Sequence, residues 1–110
     1  MSLENVSNRS LYDLVVTKLE DTKNNVLVPA GQTMVGLGYW TPWVDNQHEL
    51  QTKSIVIVVG NSGSNTSGYF LFEHDGKIYT ALRFEKKRQL LDNKKNFNLI
   101  VDNNDIWMEQ

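Results

Sequence analysis

The sequence predicts an all-β fold, a single antiparallel β-sandwich of about seven strands. Runs rich in β-branched and aromatic residues recur at intervals of about 8–12 residues, with turn residues between them. One of these runs, SIVIVV at residues 54–59, is almost entirely β-branched. Another pair of runs flanks Asp75-Gly76. This dipeptide is a strong hairpin signal, because a type I′ turn needs positive φ at both central positions.

Length and composition indicate one domain, residues 1–110, with its own hydrophobic core. The chain is 40% hydrophobic and 10% aromatic, as is typical of globular proteins. Its formal net charge of −2 gives no reason to expect the basic surface that contacts with a nucleic-acid backbone require, so no nucleic-acid partner is expected. There is no cysteine, which excludes disulfides and thiolate metal sites.

The start of the chain and its apolar runs predict neither a signal peptide nor a transmembrane segment. No basic region followed by an apolar region precedes the first predicted strand. No apolar run approaches the roughly 20 residues that span a bilayer. We therefore expect a soluble, cytoplasmic protein, with release by a non-classical route as an open alternative.

The first half of the chain contains the weaker strand signals. Between residues 10 and 20 the apolar spacing fits both a strand and a helix, and the adjacent valines and Thr17 favour a strand. The other predicted elements are a flexible lead-in (1–9), a turn cluster (21–25), a short apolar run (26–28) before a turn or bulge at Pro29, a strand interrupted by two glycines (32–40) and a polar connector (45–51).

The second half begins with the run at residues 54–59. Because this run lacks polar alternation, it predicts a central strand that is buried on both faces. The Asp75-Gly76 hairpin follows, with strands at 69–73 and 77–84. The remaining predicted elements are a charged loop with one helical turn (85–95), a strand (97–101), a turn (102–105) and a closing strand (106–108).

No catalytic motif is present, so we expect a protein that is not an enzyme and uses no cofactor or metal. The two histidines, His48 and His74, are not part of a local motif with serine, and they lack the spacing of a metal-binding pair. The 13 acidic residues include no pair that the sequence places at the separation glycoside hydrolysis needs.

The polar loop from Asn61 to Ser67 has two interpretations. It lacks the Lys-Ser/Thr of a phosphate-binding loop and leads into a predicted strand, so no helix dipole is available to hold a phosphate. It is either a plain connector or a surface whose hydroxyls, amides and backbone hold a neutral polyhydroxyl ligand.

Two further clusters also have two interpretations each. The aromatic cluster Tyr39, Trp40 and Trp43 either fills the core or stacks, exposed, on a sugar face or membrane interface. The basic residues Lys86-Lys87-Arg88, with Lys94-Lys95, form either a solvated loop or a contact for an anionic partner.

The stretch from Gly60 to Asn96 contains a series of short motifs: Ser62-Gly63, Thr66-Ser67-Gly68, Phe72, Asp75-Gly76, the strand from Thr80 to Phe84 and the loop from Lys86 to Asp92. In these motifs the stretch resembles the fungal fruit-body lectin family and, less closely, the actinoporin cytolysins. The lectin resemblance implies a β-sandwich with sugar contacts at Ser62, Gly63, Asp92 and Asn93. The actinoporin resemblance is the weaker one, because residues 85–96 are almost without aromatics.

Together these observations predict a small lectin-like module that binds a neutral glycan or glycoprotein. The expected ligand-binding residues are Ser62, Gly63, Asn65, Asp92 and Asn93, with Tyr39, Trp40 or Trp43 for stacking. The alternative is a non-catalytic protein- or membrane-interaction module, such as a toxin-like or assembly domain, whose aromatic cluster forms the interface of a partner or homo-oligomer.

Overall fold

Two β-sheets packed face to face confirm the predicted all-β sandwich. The computed structural model describes residues 2–60, 67–91, 96–103 and 105–109. In chain order its elements are β1 (Ser2–Asn8), β2 (Leu14–Lys18), β3 (Asp21–Val28), β4 (Thr33–Met34), β5 (Tyr39–Trp40), α1 (Gln47–Lys53), β6 (Ile55–Val59), β7 (Ser67–His74), β8 (Lys77–Ala81), a 3-10 turn (Phe84–Lys86), β9 (Arg88–Leu91), β10 (Phe97–Val101) and β11 (Ile106–Glu109).

The first sheet is built around β1. Strand β10 lies on one side of β1 with β11 beyond it, and both β4 and β5 pair with the other side. The prediction of a flexible lead-in is wrong for residues 2–8, because Leu3 and Val6 of β1 are completely buried. The antiparallel prediction is wrong for one pair, since β1 and β10 run parallel with Leu3 opposite Phe97.

The second sheet is antiparallel throughout, in the order β3-β2-β6-β7-β8-β9. The predicted hairpin is confirmed: β7 and β8 are joined by Asp75 and Gly76, whose φ angles are 54° and 75°. Strand β6 is central, as predicted. Its burial on both faces is not complete, because Val56 and Val58 on the outer face are only half-buried.

The inner core fills the space between the sheets. Alternate residues of β6, Ile55, Ile57 and Val59, face this core because successive side chains of a strand point to opposite faces. Its other buried members are Leu3, Val6, Leu14, Val16, Val28, Leu71, Ile78, Phe97, Leu99, Val101 and Ile106.

A second, smaller core lies on the outer face of β7 and β8. Val44, Leu50, Phe72 and Ala81 are its buried members, and Phe70, Tyr79 and Phe84 pack against them. Helix α1 supplies Leu50 to this outer core. Within the described ranges, no helix combines the length and apolar character needed to cross a membrane.

Helix α1 replaces the polar connector predicted at residues 45–51. Its N-cap is Asn46, whose side chain accepts a 2.9 Å hydrogen bond from the N–H of Glu49. Glu49 in turn accepts a 2.9 Å hydrogen bond from the N–H of Asp45. An Asn followed three residues later by Glu is the sequence signature of such a helix start.

Three other local predictions need correction. Residues 21–25 begin strand β3, and the turn lies at Leu19 and Glu20 instead. The strand predicted at 32–40 is reduced to β4 and β5, because Gly36 and Gly38 adopt positive φ between them. The charged loop predicted at 85–95 contains a helical turn, as expected, and also strand β9.

Candidate functional site

The polar residues predicted to contact a sugar, Ser62, Gly63, Asn65, Asp92 and Asn93, lie outside the described residues. The strand ends that flank them are described. Ser67 pairs with Val59 at one end of the second sheet, whereas Leu91 pairs with Ile78 beside the hairpin turn. Ile78 lies opposite Glu73, which is about 20 Å along β7 from Ser67 at about 3.4 Å per residue. The two predicted loops therefore start from opposite ends of the sheet.

The structure divides the predicted aromatic cluster. Tyr39 is half-buried and packs against the inner core, with the ammonium of Lys18 5.5 Å from its ring centre. Burial, followed by the charge of Asp21, raises the pKa of the Tyr39 hydroxyl. Trp40 and Trp43 are 63% and 45% exposed. The core-filling interpretation is therefore wrong for both tryptophans.

The two exposed tryptophans lie on different parts of the sandwich. Trp40 belongs to β5 and pairs with Ser2 in the first sheet. Trp43 forms a parallel bridge with Glu73 of the second sheet. Within the described part of the chain, no hydrogen bond or ring contact joins Trp40 to Trp43.

Main-chain hydrogen bonds hold the segment that carries Trp43 against the end of β7. The N–H of Glu73 donates to the carbonyl oxygen of Pro42 at 2.8 Å, and the N–H of Val44 donates to that of Glu73 at 2.9 Å. Val44 itself is buried in the outer core. The backbone on both sides of Trp43 is thus fixed while its indole remains accessible.

Asp45 and His74 complete a polar cluster beside the indole. The Nε1–H of Trp43 donates to Oδ1 of Asp45 at 2.7 Å. Nδ1 of His74 lies 3.2 Å from the same oxygen and 2.9 Å from the carbonyl oxygen of Val44. The ring centres of Trp43 and His74 are 6.1 Å apart. We call Trp43, Asp45 and His74 the Trp43 site.

The imidazole of His74 is braced on its other side by an aromatic ring. The ring of Phe84 lies at 90° to the imidazole, with 5.0 Å between the ring centroids. The backbone of His74 is fixed because His74 is part of β7. When Nδ1–H donates to Val44, Nε2 of the neutral ring is an acceptor. Oδ2 of Asp45 has no hydrogen-bond partner among the residues described and is a second acceptor.

The groups of the Trp43 site can stack on an apolar face and form hydrogen bonds with hydroxyls. No serine or threonine hydroxyl contacts His74 within the described ranges. Nor do three His, Asp or Glu side chains come close enough to hold a metal ion in that part of the chain. His48 is exposed on α1, away from these contacts.

The sequence predicts Trp43 as a stacking residue but does not indicate the two polar residues beside it. Asp45 is two residues from Trp43, yet nothing in that spacing shows that its side chain turns back to the indole. For His74, the sequence shows only that it belongs to no local motif with serine and to no pair with metal-binding spacing. Its approach to Trp43 depends on the bridge between Trp43 and Glu73, which joins segments 30 residues apart in the chain.

Comparison of the chain with family models, with curated proteins and with solved structures finds no match.

Proposed function

We propose that the protein is a lectin-like module that binds a neutral glycan at the Trp43 site. The observation that carries this proposal is an indole that is both exposed and fixed by its hydrogen bond to Asp45. An aromatic face gives a sugar ring an apolar surface to stack on, and nearby acceptors then fix its orientation through the hydroxyls.

Immobilisation of Trp43 favours binding because little side-chain entropy remains to be lost. The indole is held by Asp45, and the backbone on both sides of it is hydrogen-bonded to Glu73. Ordering a mobile side chain at an interface costs about 0.5–1.5 kcal/mol. A shallow site with one stacking ring still predicts weak affinity for a single sugar, so multivalent glycans are the expected natural ligands.

The local charge favours a neutral sugar over an acidic one. The carboxylate of Asp45 is about half exposed at the site, and Glu73 and Asp75 flank His74 in the chain. An anionic sugar would be repelled by the Asp45 carboxylate, whereas sugar hydroxyls can donate hydrogen bonds to it.

A glycan array followed by NMR titration tests the proposal. A neutral glycan that binds should shift the indole N–H resonance of Trp43, and Trp43→Ala should reduce its affinity by at least tenfold. Trp40→Ala removes an equally large exposed ring elsewhere and should leave the affinity unchanged. An array without neutral hits, or an affinity lost with Trp40→Ala and kept with Trp43→Ala, would refute binding at this site.

The loop residues Ser62, Gly63, Asn65, Asp92 and Asn93 remain predicted sugar contacts from the lectin resemblance. Single alanine substitutions at Ser62, Asn65, Asp92 and Asn93 in the same titration show which loop, if either, extends the Trp43 site. Because the flanking strand ends are about 20 Å apart, we expect at most one of the two loops to affect the affinity for a monosaccharide.

Trp40 is the observation that favours the second candidate, a protein-interaction module. Its indole is 63% exposed, and unlike that of Trp43 it has no hydrogen-bond partner among the residues described. Tryptophan is a residue that frequently dominates binding energy at protein interfaces. Light scattering tests the homo-oligomeric form of this candidate: a dimer that Trp40→Ala converts to monomer would support it, and a monomer at all concentrations would refute that form.

A further inference from the structure

A cleft separate from the Trp43 site opens at the other end of the second sheet. It has a volume of about 330 Å³ and is lined by Gly68, Tyr69, Thr80, Ala81, Leu82, Lys86 and Arg88. Gly68 and Tyr69 lie near the start of β7, whereas His74 of the Trp43 site is its last residue. Its volume is at the lower end of the range of small-molecule pockets, about 300–1,000 Å³.

The walls of the cleft are largely apolar. Leu82 is 70% exposed and directly follows the buried Ala81 at the end of β8. The ring of Tyr69 packs partly against the inner core. The hydroxyl of Thr80 already donates to the carbonyl oxygen of Phe70 at 2.8 Å and is not available as a donor.

Two cationic side chains line the cleft, one in an ion pair and one without a partner among the described residues. Arg88 is paired with Asp105, with 2.6 Å between Nη2 and Oδ1, so its charge is largely balanced. The ammonium of Lys86 has no hydrogen-bond or ion-pair partner in the described part of the chain. The neighbouring Lys87 does not line the cleft, because its ammonium lies 4.1 Å from the ring centre of Phe84.

Tyr69 supplies a hydroxyl donor near these charges. Burial, followed by the carboxylates of Asp105 and Asp102, raises the pKa of Tyr69, and Arg88 opposes this shift. The phenol therefore keeps its proton at neutral pH and can donate a hydrogen bond. The same carboxylates disfavour an anion near Asp105, so the anionic end of a ligand belongs on the Lys86 side.

We propose that this cleft binds a small organic anion, with its apolar body against Leu82 and the Tyr69 ring and its carboxylate or phosphate at Lys86. The lining matches both parts of such a ligand, because an unpaired ammonium stands beside an exposed apolar wall. The cleft shares no residue with the Trp43 site, so ligand binding in it can be tested separately from glycan binding at Trp43.

NMR titration with three probes of similar size tests this assignment: phenylacetate, phenyl phosphate and the neutral benzyl alcohol. We expect both anions to shift the amide resonances of Gly68 and Leu82 and to bind at least threefold more tightly than benzyl alcohol. The ratio of the two anion affinities identifies the preferred anionic group. Equal binding of all three probes, shifts elsewhere, or no shifts would overturn the proposal.

The adjacent lysines provide matched variants. Lys86→Gln should weaken binding of the preferred anion by about threefold to tenfold, as expected for one partly exposed ion pair. Lys87→Gln makes the same change of charge one residue away and should leave the affinity unchanged. Asp105→Asn should strengthen binding, because it removes a negative charge near the cleft and releases Arg88. Equal losses with Lys86→Gln and Lys87→Gln would overturn the assignment of the anion to Lys86.

Discussion

The buried side chain of Asn8 makes four hydrogen bonds, and its removal should measurably lower the stability of the fold. Asn8 is 1% exposed at the end of β1. Its Nδ2 donates to the carbonyl oxygens of Tyr12 and Val28 at 2.8 and 2.9 Å. Its Oδ1 accepts from the N–H and the hydroxyl of Ser10 at 3.0 and 2.6 Å. One amide thus joins β1 to the segments that begin β2 and end β3.

The number of these bonds sets the size of the effect. Each intramolecular hydrogen bond contributes about 1 kcal/mol net, and groups left buried without a partner cost more. Four bonds predict that Asn8→Ala lowers the free energy of unfolding by about 2–4 kcal/mol, a large part of the 5–15 kcal/mol typical of a domain. Asn8→Asp should cost more at neutral pH, because a buried carboxylate would then face two carbonyl oxygens.

Chemical denaturation followed by far-UV circular dichroism measures these differences. Asn25→Ala is the matched control, because Asn25 is exposed and its amide makes one hydrogen bond, to Thr22. It should cost less than about 0.5 kcal/mol, as is usual for surface substitutions. If Asn8→Ala costs no more than Asn25→Ala, the amide network does not stabilise the fold and the reasoning is refuted.

Three further predictions concern other parts of the fold. Thr41→Val should raise the free energy of unfolding by about 1 kcal/mol, because the buried Thr41 hydroxyl has no hydrogen-bond partner among the described residues. Thr80→Val should lower it by a similar amount, because the Thr80 hydroxyl donates to Phe70; denaturation curves of the two variants that shift in the same direction would contradict this. Gly76→Ala should lower the melting temperature, because alanine is strained at the positive φ of 75° that Gly76 adopts. Gly68→Ala is the control and should leave the melting temperature unchanged, because a Cβ at Gly68 would meet open space; equal effects of the two substitutions would exclude turn strain. Burial raises the pKa of Asp105, but the hydrogen bonds from the N–H of Ile106 and from Arg88, together with the charge of Arg88, outweigh this effect, so the pKa of Asp105 is lowered. This half-exposed pair should add about 0–1 kcal/mol of stability above pH 4 that is lost as the pH falls through the lowered pKa, and Asp105→Asn should flatten that part of a plot of melting temperature against pH.

Features encoded within a few neighbouring residues were predictable from the sequence. The hairpin of β7 and β8 is one of them, because positive φ at Asp75 and Gly76 is a local property of that dipeptide. The central position of β6 is another, since a β-branched run without charge is costly to expose. Both signals require no knowledge of what lies elsewhere in the chain.

Strand β1 escaped prediction for a physical reason. Its two buried apolar residues, Leu3 and Val6, are three positions apart, so the apolar pattern does not alternate. The register shift between Leu3 and Asn5 in the pairing with β10 explains this spacing. Strand β3 was missed because an edge strand can expose polar side chains, and residues 21–25 are all exposed.

The candidate site was predictable only in part. An aromatic pair around a proline indicated stacking at Trp40 or Trp43, and both indoles are exposed. The distinction between them depends on their contacts: among the described residues, Trp43 has a carboxylate and an imidazole beside it, whereas Trp40 does not. Those contacts arise from the bridge to Glu73, a tertiary pairing that no local pattern encodes.

The central place of β1 also bears on how the chain folds during synthesis. Strand β1 emerges from the ribosome before its neighbour β10, which begins at Phe97, so that pairing must wait for the synthesis of the residues between them. Such distant pairings slow folding, because the entropy of closing a long loop is lost before the contacts form. We expect the antiparallel second sheet to assemble earlier, with β1 held against β4 and β5 as an unfinished edge until β10 arrives.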